Sequence, residues 1–164
     1  MPVPASLEEF VIRWDAFRAG LGFEEITDTL AIEPHACDGA SLAMRMPLAP
    51  RLRQAGGMFA ATALFGAADV TGTFLAMQVV EPGHFPLAVQ SSLNFIDNSR
   101  VGPAIATARI VRAGRTIVVA SVDVADAGGK VLATSAFTYV PKPSAGRTPE
   151  GEELELESAP APQD

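Results

Sequence analysis

The chain has 164 residues, 48% of them hydrophobic, and a formal charge of −7, which fits one globular domain and excludes disorder throughout. Residues 141–164 hold six of the 19 acidic side chains and two of the 12 basic ones; the remainder, at −3, carries no basic stripe for nucleic acid. A lone cysteine, Cys37, excludes an internal disulfide, and with His35 and His84 far apart no metal or other cofactor is expected.

Met1 to Phe10 shows no basic region followed by an apolar core, so a cytoplasmic protein is expected. Ser6-Leu7-Glu8-Glu9 is a capping-box pattern ahead of Phe10, Val11, Trp14 and Phe17, and predicts an amphipathic helix that stops near Gly20 and Gly22. Residues 25–33 and 40–46 read as two extended segments, joined as a hairpin through Pro34, Asp38 and Gly39. After Pro47, Pro50 and a loop over 51–55, a nearly uniform apolar stretch predicts a helix over 57–79, buried on every side. That stretch is long enough to cross a bilayer. It is built of Ala, Gly and Thr rather than Leu and Ile, carries Asp69 near its middle and precedes strand-patterned sequence, so no membrane span is expected.

Strand patterns then cover 87–96, 104–112, 116–125 and 131–140, with Gly102-Pro103, Ala113-Gly114 and Ala127-Gly128-Gly129 in the breaks, as in an antiparallel meander. In the third, Val118, Ala120, Val122 and Val124 make one apolar face, while Ile117, Val119, Ser121 and Asp123 fade to polar. Beyond Pro141 the composition turns to Pro, Ser, Gly and Glu, and an acidic disordered tail is expected. The chain thus divides into an N-terminal helix over 1–22, a domain over 23–140 and a tail over 141–164. The element order predicts an α+β fold whose antiparallel sheet wraps a long central helix. The edges of such a sheet are commonly paired between two copies, which predicts a homodimer and allows a homotetramer.

Asp69 is the conspicuous residue, because a carboxylate inside an apolar helix pays for its desolvation unless something uses or pairs it. The alternative reading is an acid at a solvated seam, or one bonded to the Thr73 hydroxyl one turn later. Gly56-Gly57, at the expected helix start, offers free N–H groups and the positive end of the dipole to an oxyanion; glycines that merely end a loop are the plainer reading. The first turn near Ala60 and Ala61 lies eight residues from Asp69, roughly 12 Å at ~1.5 Å per residue. One helix therefore cannot bring both to one carbonyl, and a shared site needs two subunits.

The run Gly56-Gly57-Met58-Phe59-Ala60-Ala61-Thr62-Ala63-Leu64-Phe65-Gly66-Ala67-Ala68-Asp69-Val70 resembles the central helix of the PaaI-type hotdog-fold thioesterases. Leu93-Asn94-Phe95, Gly102, Val111 to Arg115, Gly128-Gly129 and Ala136 to Tyr139 resemble that family's later strands, so the likeness spans about residues 20–140. The family motif is His-Gly-Gly with an acid nine positions after the His. Asp69 matches the acid, Ala60 stands where the His would be, and Ala61 stands at the first glycine, whose N–H polarises the thioester carbonyl in relatives. The chain is similar to a subgroup in which a small residue replaces the His.

Gln54 falls where relatives carry a Gln or Asn that holds the carboxylate or the water, and Thr73 where they carry Ser or Thr. The resemblance implies a hotdog fold and hydrolysis of acyl-CoA or another acyl thioester at a dimer interface. Asp69 would act as nucleophile or as base for water, and Gly57 and Ala60 would line the substrate site. Arg100, Arg112 and Arg115, in or near turns, would meet coenzyme A phosphates, with solvated surface arginines as the plainer reading. Two other readings stay open: an acyl-thioester or lipid-binding hotdog protein without turnover, and a partner protein that uses the acidic run 150–157.

Overall fold

The computed structural model describes residues 2–144. The chain begins with α1 (Leu7–Ala19), whose N-cap Ser6 side chain accepts from Glu9 N–H at 3.2 Å. The Glu9 carboxylate answers one residue further back, on Ala5 N–H at 3.0 Å. Of the predicted stripe, Phe10 and Trp14 are buried, Phe17 is half-buried and Val11 is exposed. Phe10, Trp14 and Phe17 all meet Phe74 of the central helix, with ring centroids 5.2–5.8 Å apart.

The segment 25–33, expected to be extended, is instead mostly helical: α2 (Ile26–Leu30) precedes β1 (Glu33–Cys37) and β2 (Ser41–Met46). Glu25 and Asp28 form a reciprocal capping box, Ala31 closes the helix at φ 48°, and Leu30 and Ile32 are buried. Tertiary burial and capping override the β-branched composition of this short run. Asp38 makes the β1–β2 turn as expected, accepting from Ala40 and Ser41 N–H. Pro34 lies inside β1 rather than in the turn, a position open to it because β1 is an edge strand.

The long helix α3 spans Ala61–Val79, four residues later than the predicted start, because residues 54–60 are held as a loop by contacts outside the helix. Phe59 N–H donates to Ser99 O, Ala60 N–H to Leu52 O, and Gly57 turns the chain at φ 79°. Four further strands follow: β3 (His84–Phe95), β4 (Ala104–Ala113), β5 (Val118–Ala125) and β6 (Val131–Pro143). β6 thus runs three residues past the expected 140, and the acidic run 150–157 lies outside the described residues.

All six strands form one antiparallel sheet in the order β1-β2-β4-β5-β6-β3. The meander holds for β4-β5-β6. It fails for β3, which pairs with β6 at the far edge instead of with β4, since short breaks in sequence specify a turn but not which edge a strand joins. The sheet wraps α3, which touches five of its strands. Val118, Ala120, Val122 and Val124 of β5 face the helix fully buried, beside Ala104, Ala106 and Ala108 of β4. At Gly72 the approach is closest: a Cβ there would stand 2.7 Å from Tyr139 Oη and 3.1 Å from Val122.

α3 is not buried on every side. Ala61, Thr62 and Phe65 are exposed, and Gly66, Asp69, Val70, Thr73 and Met77 half-exposed, along one face at three- and four-residue spacing. The adjoining edge strand β3 exposes Phe85, Leu87, Val89 and Phe95 at 41–54%. No helix among the described residues is long and apolar enough to cross a membrane.

Candidate active site

Asp69 projects from the third turn of α3 on its half-open face, where it lines a cavity of about 270 Å³ together with Thr73, Glu25 and apolar side chains. No hydrogen-bond donor among the described residues reaches its carboxylate, so the pairing with Thr73 does not form. Burial first, and the Glu25 charge second, push the Asp69 carboxyl above the usual range. The Tyr139 hydroxyl is buried beside Thr73, without a well-formed hydrogen bond; burial raises its phenol, the Thr73 hydroxyl offsets part of that, and the Asp69 charge adds to it. The cavity wall therefore sets an acid that no donor among the described residues reaches beside a buried phenol, in a setting that favours their neutral forms.

Gln54, Gly57, Ala60, Ala61 and Arg100 gather instead at the N-terminal end of the same helix. Ala60 is the N-cap with no side-chain bond, and among the described residues the Ala61 N–H meets no acceptor, so it is free for a ligand. Gly56 and Gly57 do not open the helix: Gly57 N–H donates to Gln54 O at 2.8 Å, and Gly56 N–H to Gln54 Oε1. The Gln54 side chain is thereby tied to the loop before α3, and it does not line the cavity that holds Asp69. Arg100 clamps this loop by donating twice to Gly56 O, at 2.9 and 3.0 Å. It faces Arg45 and Arg53 across a recess of about 630 Å³.

The three arginines expected to act together are separated. Arg115 lies beside Val79 and Val80 at the C-terminal end of α3, with Arg112 in the same hairpin, while Arg100 is at the N-terminal end. His84 opens β3 at that C-terminal end, away from the Asp69 cavity. Sequence reasoning missed Glu25. The run Glu25-Ile26-Thr27-Asp28 carries the capping signal of α2, but nothing in it announces that its first residue shares a cavity with a helix forty residues on.

Within one chain, then, Asp69 with Thr73 and Ala61 with Gln54 and Arg100 are two separate groups of candidate residues, and Ala61 and Asp69 stand about two helical turns apart.

The thioesterase superfamily model matches residues 56–133, from the loop before α3 into β6. A mutant thioesterase from Pseudomonas aeruginosa is similar at 23% identity and a TM-score of 0.73, over 81% of this chain and 94% of that one. A thioesterase from Haemophilus influenzae is 20% identical with a TM-score of 0.74, over 87% and 94%. A hypothetical thioesterase from Streptococcus pneumoniae, solved with coenzyme A, is 18% identical with a TM-score of 0.61, over 68% and 89%. At these identities the solved structures speak for the fold. No curated protein matches the chain. The antiparallel sheet around one long helix is the hotdog fold, and the stretch of it that runs across that helix and the strands after it is similar to the thioesterase superfamily.

Proposed function

We propose that the chain hydrolyses acyl thioesters of coenzyme A at a composite site, in which Asp69 of one copy faces the Ala61 N–H of a second. The observation that carries this reading is the splitting of the site along one rigid helix, whose intervening face is open. Phe65, midway between Ala61 and Asp69, is 39% exposed there. Two α3 helices crossing antiparallel near Phe65 would complete the site twice, as a two-fold axis requires, with the open β3 edges as the natural seam. Light scattering separates this dimer from a tetramer.

In such a site the thioester carbonyl accepts from Ala61 N–H, at the positive end of the helix dipole. Asp69, made more basic by burial, takes a proton from water, and the hydroxide adds to the carbonyl carbon. The oxyanion collapses, the C–S bond breaks, and the thiolate leaves and takes up a proton. Gln54 and Thr73 flank the water from either half. Arg100 and Arg53 supply cations to the coenzyme's phosphates, while Arg112 and Arg115 lie at the other end of α3 in the same chain. A cytoplasmic location is compatible with such a substrate, and cell fractionation checks it.

The test is thiol release from acyl-CoAs by wild type, Asp69→Asn, Ala61→Pro and a refolded mixture of the two variants. Proline is tolerated at the first helical position, and Ala60 already has φ −68° and ψ 142°, so Ala61→Pro removes the N–H without breaking the helix. Each variant alone loses turnover, by about 10²–10³-fold for Ala61→Pro. The mixture recovers about a quarter of the wild-type rate, because half its dimers keep one intact site in two. A mixture as inactive as its components would place the whole site in one chain.

A further inference from the structure

The cavity beside Asp69 has a shape as well as a chemistry. Asp69, Thr73 and Met77 succeed one another on one face of α3, and span roughly 12 Å at ~1.5 Å per residue. The start of β3 supplies a facing wall: Ala88 meets Asp69 in this cavity and in the adjoining recess, and the wall continues back to Phe85, roughly 10 Å of strand at ~3.3 Å per residue. Trp14 and Phe17 of α1 cover the remainder. The result is an apolar slot about as long as two helical turns, with the carboxylate at one end.

Among the described residues, the slot carries charge only from Glu25 and Asp69. An acyl group ending in its own carboxylate would face two acids and no cation. An extended chain covers ~1.2 Å per bond, as three backbone bonds cover about 3.3–3.6 Å, so the slot accepts about eight to ten bonds.

We infer that this slot is the acyl site for an uncharged, straight, medium-length chain, and that Trp14 and Phe17 of the N-terminal helix determine the length it accepts. This deepens the thioesterase reading and rests on it. The acyl carbon next to sulfur sits at Asp69, and the chain runs past Thr73 toward Met77. Hydrolysis leaves a carboxylate product beside Asp69 and Glu25, whose charges expel it.

Trp14 is the only tryptophan in the chain, so its emission reports on the slot in the intact protein without turnover. Titration with S-octyl-coenzyme A, a thioether that cannot be hydrolysed, gives a saturable change. S-butyl-coenzyme A and the S-(7-carboxyheptyl) analogue each bind at least about tenfold more weakly, a difference of 1.4 kcal/mol. In turnover, Phe17→Ala moves the preferred acyl-CoA to longer chains and Met77→Phe to shorter ones, with Phe17→Leu as the milder variant if the alanine chain does not fold. Unchanged Trp14 emission with the S-octyl compound, or a length profile that neither substitution moves, overturns the assignment even when octanoyl-CoA is hydrolysed in an Asp69-dependent way. An emission change and selective S-octyl binding without hydrolysis of any acyl-CoA keep the slot and remove the thioesterase reading.

Discussion

Asp126, in the turn between β5 and β6, is 6% exposed and accepts from Ser99 Oγ at 2.7 Å, Gly128 N–H at 2.9 Å and Lys130 N–H at 3.0 Å. The Ser99 hydroxyl, then the backbone donors, hold its carboxyl below the usual range. Asp69, on α3, has no such donor among the described residues, and its carboxyl is pushed up by burial and then by Glu25. The first aspartate ties the segment after β3 to the β5–β6 turn. The second costs the fold stability when it is charged and keeps its oxygens free. Removal from water does not distinguish the two; the supply of donors does, and a buried-side acid left without them is the one to suspect of chemistry.

Exchanging each carboxylate for its amide turns this contrast into opposite outcomes. Asp69→Asn lowers thioester hydrolysis by about 10²–10⁴-fold, the range for a catalytic base. The same variant melts at a higher temperature at neutral pH. A raised folded-state pKa gives the native state a stabilisation that is present below the unfolded value and lost as pH rises through the folded one, and asparagine does not titrate. A melting temperature at or below wild type breaks the contrast. Asp126→Asn lowers the melting temperature and leaves the activity of each folded molecule intact. Its carboxyl is depressed, so its contribution is present above the unfolded value and fades as pH falls through the folded one; the gap to wild type closes in acid. Ser99→Ala repeats that loss at neutral pH in the same melting experiment.

The smallest change comes from Glu25→Gln. Among the described residues, the polar groups around Asp69 are Glu25 and Thr27 at α2, Thr73 on α3, Gln90 and Ser91 on β3 and Tyr139 on β6, and of these Glu25 alone brings a charge. Removing the Glu25 charge moves the acid limb of the pH profile of kcat/KM to lower pH, only part of the way because burial remains. The amide oxygen of Gln still caps Thr27, so α2 survives. A limb that stays in place means Glu25 does not bear on Asp69.

The elements read correctly from sequence share one property: their signal is local. The Ser6 cap of α1, the apolar run of α3 and the alternation of Val118 to Val124 each state their structure within a few residues. What escaped depends on distant partners. α2 is too short to show a period, and stands on its capping box and the burial of Leu30. The late start of α3 follows from bonds to Leu52 and Ser99, and the place of β3 at the far edge follows from pairing with β6. The candidate site divides the same way. Asp69 stands out in its own helix, whereas Glu25, Trp14 and Phe17 reach its cavity only through packing.

The open edge of β3 also bears on how the molecule is made. In a composite-site dimer, its twelve residues complete their ladder only on meeting a second copy. The last step of refolding after dilution from denaturant is then second order and slows as the solution is thinned. Until that encounter a newly synthesised chain carries a long apolar template that any stray strand can join, so its yield in the cell depends on the rate at which copies are supplied to one another.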